Sequence, residues 1–279
     1  MNARLLFILL LFTIGALWYI IGYWRRKAGE AAFAAARLTE KSEERERYCR
    51  LAVMAGHREA CRMFCFLHPE RFDGHSPHKP FKLRGIRISF YGYYYPSRYN
   101  ALLNDEQRAF CHSIYQFKQG DIHGIEFFKT CMNALQLKKR PYHIMFMPCS
   151  NWIKYGQRFK RLDWYIGKHR QDLTSGLYDV DICDARESLH EAKGGEKRIL
   201  ERNYYLITGK IKGKEIIIID DVLTTGQSVV DYKEEIERCG GKVVAAIFYG
   251  KTLSMPSMLL VQIHVWGNHI AHIIERMTK

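Results

Sequence analysis

EIIIIDDVLTTGQSV, Glu215–Val229, drives four isoleucines straight into two adjacent aspartates and then into a loop of small polar residues with one glycine. A strand with no polar alternation belongs in a parallel sheet covered on both faces. The next segment, SVVDYKEEIERCGGK, places Val229, Val230, Ile236 and Cys239 at helical spacing, with Gly240-Gly241 as the stop signal. VVAAIFY, residues 243–249, supplies a second apolar strand. Strand, loop, helix and strand at this length make one right-handed crossover unit, so the fold class is α/β.

Ligands of such sheets bind beyond the carboxyl ends of the strands. Asp220 and Asp221 sit at one of those ends, and the loop Val222–Ser228 leads from them into a helix N-terminus. Free N–H groups and the helix dipole make that terminus a phosphate site. Gly226 permits close backbone approach or a positive φ. Two carboxylates would repel the same phosphate, so they must face hydroxyls or a metal on the same ligand. A phosphate at one end and a diol nearby describes a ribose 5-phosphate. A nucleotide-hydrolase strand is the competing interpretation of IIIIDD, but it needs an earlier G-x-x-x-x-G-K-[ST] loop. Gly250-Lys251-Thr252 comes after the acidic strand, and position 245 is Ala.

IIIIDDVLTTGQS resembles the signature with which type I phosphoribosyltransferases bind 5-phosphoribosyl 1-pyrophosphate (PRPP). The resemblance implies that Asp220 and Asp221, the candidate catalytic pair, hold the ribose 2- and 3-hydroxyls. It implies that Val222, Leu223, Thr224, Thr225, Gly226, Gln227 and Ser228 wrap the 5-phosphate. Upstream, MFMPCSNWIKYGQRFKRLDWY (Met145–Tyr165) and SLHEAKGGEKRILERNYYLI (Ser188–Ile207) are similar to stretches of the ComF-like, amidophosphoribosyltransferase-like branch. By that likeness Pro148, Cys149 and Ser150 present backbone donors to pyrophosphate, and Arg158, Lys193 and Arg198 neutralise it. The likeness covers roughly residues 85–255, but the zinc-ribbon cysteines of that branch are missing. The implied reaction displaces pyrophosphate from PRPP by a nitrogenous acceptor. Mg²⁺ is the implied cofactor, carried by PRPP with no direct protein ligand. GKHRQDLTSG or EAKGGEKR would be the closing lid. A non-catalytic PRPP or nucleotide sensor, and a ComF-like role in DNA uptake, stay open as alternatives.

The rest of the chain frames this unit. LLFILLLFTIGALWYIIGYW, Leu5–Trp24, carries no charge and is followed by Arg25, Arg26 and Lys27. Roughly 20 apolar residues span a bilayer, and positive charge stays on the cytoplasmic side. Residues 1–27 are therefore expected to be a single-pass anchor in the inner membrane, with the remainder in the cytoplasm. Residues 28–82 are expected to be a helical segment and linker, in which AVMAGHREA resembles a single Sel1-like repeat. Residues 83–279 are expected to be the phosphoribosyltransferase-like domain, with VQIHVW (261–266) as its last strand. A net charge of +14 favours anionic partners. The basic residues are scattered, so nucleic acid is not favoured among them. Eight cysteines without a C-x-x-C pair indicate free thiols rather than a disulfide framework. The aromatic run Tyr93–Tyr95 is a candidate dimer face, and oligomeric state is otherwise open.

Overall fold

The computed structural model describes residues 3–120, 123–182, 205–208 and 210–278, with side chains for all but 3–9 and 123. In chain order come α1 (Ala3–Leu38), α2 (Ser42–Met54), α3 (Arg58–Leu67), α4 (Pro69–Asp73), β1 (Phe81–Leu83) and β2 (Ile86–Tyr94). A 3-10 turn at Ser97–Leu102 precedes α5 (Asp105–Lys118), α6 (His123–Leu135), β3 (Tyr142–Phe146), α7 (Trp152–His169) and β4 (Leu173–Ser175). β5 (Val180–Ile182), β6 (Tyr205–Ile207), β7 (Glu215–Leu223), α8 (Gln227–Arg238), β8 (Lys242–Thr252) and α9 (Met258–Met277) complete the chain.

Two compact units result. One comprises residues 75–96 and 105–252, the other residues 1–74, 97–104 and 253–279. The first is the α/β unit. Its six-stranded sheet runs β1-β2-β8-β7-β3-β4, with every pair parallel except the β1–β2 hairpin. Ile216, Ile217, Ile218 and Ile219 are all fully buried. Successive strand residues face opposite sides, so both faces of β7 are covered. β3 pairs with β7 only as far as Phe146 opposite Ile219, while β8 continues alongside Asp220, Val222 and Leu223. The two aspartates therefore stand just past the end of one neighbour and still beside the other.

The second unit is helical. Gly29 of α1 lies so close to α2 that an added Cβ would come 3.0 Å from the Ala55 Cβ. Arg25 donates to the Met54 carbonyl at 3.1 Å, satisfying an open end of α2. His57 caps α3 by accepting from the Ala60 N–H at 3.2 Å and stacks on Phe33. Residues 253–279 join this unit, not the sheet as expected. VQIHVW is helix, not strand, because its buried valines, Val261 and Val265, are one helical turn apart.

The membrane anchor is corrected by the structure. Among the described residues, no helix is long and apolar enough to cross a membrane. The uncharged run ends at Trp24. α1 then continues through Arg25, Arg26 and Lys27 to Leu38, and Arg25 is engaged in helix packing. The expectation of an inner-membrane protein is withdrawn with it. Tyr93 and Tyr95 are buried, so the run 93–95 is not an exposed dimer face either. GKHRQDLTSG is no lid: it is the end of α7 and the edge strand β4, fixed by a bidentate Arg170–Asp172 pair at 2.8 and 2.7 Å and by pairing with β3.

Candidate active site

The site grows from the end of β7. Leu223 is still strand, paired opposite Lys251, and its carbonyl accepts from the Thr252 hydroxyl at 2.9 Å. Val222 lies opposite Gly250. These two residues are thus held by the sheet, and the free loop shortens to residues 224–226. Thr224 and Thr225 are exposed in it. Gly226 caps α8 with φ 78°, the left-handed region that glycine enters without steric cost. A Cβ there would stand 2.2 Å from the Leu83 Cδ2. Ser228 is exposed in the first turn of α8. Gln227 is also exposed, but its side chain is taken. Its Oε1 accepts from Arg84 at 2.5 Å and its Nε2 donates to Asp231 at 2.7 Å.

Both aspartates fold back on the chain. The Asp221 N–H donates to the Asp220 Oδ1 at 2.7 Å, and the Val222 N–H donates to the Asp221 Oδ1 at 2.6 Å. The other oxygen of Asp221 meets two cations, Arg158 at 3.0 Å from α7 and Lys118 at 3.1 Å from the last residue of α5. Arg158 also reaches Asp220 at 3.5 Å. The electrostatics divide the pair. Burial pushes the Asp220 carboxyl well above the ordinary carboxylate range, and repulsion from Asp221 adds to it. Burial acts on Asp221 in the same sense, but Arg158 and then Lys118 outweigh it and hold that carboxyl below its ordinary value. Adjacent carboxylates in one low-dielectric site cannot both ionise freely.

The connection from β3 to α7 closes the other side. The Met147 N–H donates to the Ile219 carbonyl at 2.9 Å, which fixes the start of this loop against β7. Pro148, Cys149 and Ser150 follow, and Asn151 caps α7 by accepting from the Lys154 N–H at 2.9 Å. Cys149 is buried near Arg158, Asp220 and Asp221; burial lifts its thiol to about 12, so it stays protonated. The structure thus brings together Asp220, Asp221, Cys149 and Arg158, with the Thr224–Ser228 loop leaving from the same strand. It places Arg158 on the aspartate pair. Lys193, Arg198 and EAKGGEKR lie outside the described residues. Sequence reasoning missed Lys118. A lysine ending an ordinary amphipathic helix carries no local signal, and only the sheet topology brings it to Asp221.

Residues 171–252 match the family model of the phosphoribosyl transferase domain. That stretch contains β4, β7, the loop, α8 and β8, hence both aspartates and the glycine cap. The chain is also similar to an orotate phosphoribosyltransferase of Sulfolobus acidocaldarius, 41% identical over 58 residues, or 20% of this chain and 26% of the relative. The chain thus spans about a quarter of the length of the curated relative it matches. Both similarities support a phosphoribosyltransferase-type unit.

Proposed function

We propose that the carboxyl edge of the sheet binds PRPP and that the α/β unit transfers its phosphoribosyl group to a nitrogenous acceptor. One observation carries this: an aspartate pair, a left-handed glycine cap on a helix N-terminus, and two cations converge at the carboxyl end of β7. The α8 terminus and Thr224–Ser228 offer donors to a 5-phosphate. Asp220 and Asp221 offer acceptors to the ribose hydroxyls. With Asp220 biased toward its neutral form, Arg158 and Lys118 give the cluster an excess of positive charge that a pyrophosphate would offset.

Chemistry then depends on charge placement. As the acceptor nitrogen bonds to C1, the bond from C1 to pyrophosphate breaks and its electron pair leaves with the phosphate oxygen. Arg158 and Lys118, released from Asp221 as its oxygens turn to the ribose, are placed to stabilise that leaving charge. The remaining gain comes from holding nucleophile and C1 in line. The donor set fits Mg²⁺ as a ligand-borne ion, because Asp221 Oδ2 already accepts from both cations. Bound that way, Mg²⁺ would add charge neutralisation at the phosphates.

The test is calorimetric titration of the full chain with PRPP and Mg²⁺, beside the double variant Asp220→Asn/Asp221→Asn. Lost hydrogen bonds to charged groups cost about 1.5–3 kcal/mol each, so a loss of at least ~100-fold in affinity is expected. Equal affinity in the variant, or no binding by the parent, would overturn the proposal.

A further inference from the structure

The outer face of α9 is apolar and exposed. Leu259, Ile263, Trp266, Ile270, Ile273 and Met277 are 64, 57, 42, 52, 44 and 81% accessible. Their spacings alternate four and three residues, which is the heptad seam of a two-helix coiled coil. Ile263, Ile270 and Met277 take the a positions, and Leu259, Trp266 and Ile273 the d positions. The opposite face is already used: Val261 and Val265 are buried where α9 packs on α2 and α3, and Gln262 donates to the Val53 carbonyl at 3.3 Å.

We infer that α9 is a self-association surface and that its occupant is α9 of a second copy of this chain. A scattered apolar surface would need no explanation, but six residues in one unbroken register form a contiguous stripe. Covering it would bury on the order of 700 Å² per copy, close to the ~800 Å² per partner of a standard stable interface. The same stripe on both copies makes the contact isologous, so it closes at a dimer. The stripe also lacks acidic and basic side chains, so no charge would be left unpaired on contact. This inference is independent of the proposed ligand.

The experiment is sedimentation velocity of the full chain from about 1 to 100 µM, beside Ile263→Glu/Ile270→Glu and the conservative Ile263→Leu/Ile270→Leu. The parent and the leucine variant should sediment as dimers and the glutamate variant as a monomer. Because both isoleucines are exposed in a single copy, helical circular dichroism and the melting temperature of the diluted monomer should be unchanged in all three. A monomeric parent at 100 µM overturns the inference. So does assembly that persists in the glutamate variant, which would locate the contact elsewhere. Anionic phosphatidylglycerol vesicles serve as the competing probe. Flotation of the parent with them, lost in the glutamate variant, would show that the stripe meets lipid instead.

Discussion

Two buried polar clusters sit at opposite ends of the same parallel strands, and they are built on opposite terms. At the start of β3, His143 is clamped between Asp179 at 2.7 Å from Nε2 and Thr174 at 2.7 Å from Nδ1. Burial and then Lys214 depress the imidazole pKa against the pull of Asp179. A neutral ring satisfies everything there: Nε2–H donates to the carboxylate, and Nδ1 accepts from the threonine hydroxyl. At the carboxyl end of β7, nothing closes so neatly. Two adjacent carboxylates face two cations, one carboxyl is driven toward its neutral form, and the loop next to them is exposed. A cluster whose groups are mutually satisfied stabilises a fold. One that holds unmatched charge beside open donors is organised for something that is not protein.

The largest expected effect breaks the first cluster and leaves the second alone. His143→Ala strips the Asp179 carboxylate of its partner and opens a cavity between β3 and β4, costing about 3 kcal/mol of stability. PRPP affinity should be unchanged, since the site lies four residues along the sheet, roughly 13 Å away. Thermal melts and calorimetry on one preparation check both. A fall in affinity matching the fall in stability would show that the two ends are coupled, and the distinction between them would fail. The pH dependence sharpens it. The His143 pKa is depressed on folding, so the unfolded chain binds more protons in the imidazole range and stability rises with pH there. His143→Ala should flatten that rise.

The second cluster predicts the opposite slope. The Asp220 pKa is raised on folding, so the folded chain binds more protons and stability falls as pH climbs from the ordinary carboxylate value toward the raised one. Asp220→Asn keeps the carbonyl oxygen that accepts from the Asp221 N–H and removes the repulsion. The variant should match the parent near pH 4 and exceed it by about 1 kcal/mol at pH 8, a gain of a few degrees in melting temperature. It should also lose PRPP affinity. A variant less stable than the parent at pH 8 would mean that Asp220 is ionised and paired like any structural carboxylate.

What the sequence made legible follows the range of the forces involved. The isoleucine strand, the aspartate pair, the glycine cap and α8 are set by neighbours within a few residues, and all are present as expected from Ile216 to Arg238. The placement of Arg158 on the aspartates and the whole of Lys118 depend on which helix the sheet topology carries to the end of β7, about which neither residue's neighbours say anything. The VQIHVW error has the same root. Val261, Ile263 and Val265 alternate with polar residues as in a strand, and only the company of α2 and α3 selects the four-residue spacing of the two valines instead. The anchor failed for a different reason: Arg25, taken as the positive flank of a membrane span, is a hydrogen-bond donor to a helix end.

The smallest expected effect tests how far the phosphate loop is a matter of side chains at all. Gln227 stands at the first turn of α8. Its two polar atoms are already committed to Arg84 and Asp231, away from the loop. Turning toward a phosphate would break both of these solvent-exposed contacts to gain one. The residue's contribution to an anion therefore rests on its backbone N–H, which any amino acid supplies. Gln227→Ala should change PRPP affinity by less than about twofold, and stability by no more than ~0.5 kcal/mol, as for other exposed positions. A tenfold loss of affinity would show that the side chain leaves Arg84 on binding. The loop would then select its ligand through rearranged side chains rather than through backbone N–H groups alone.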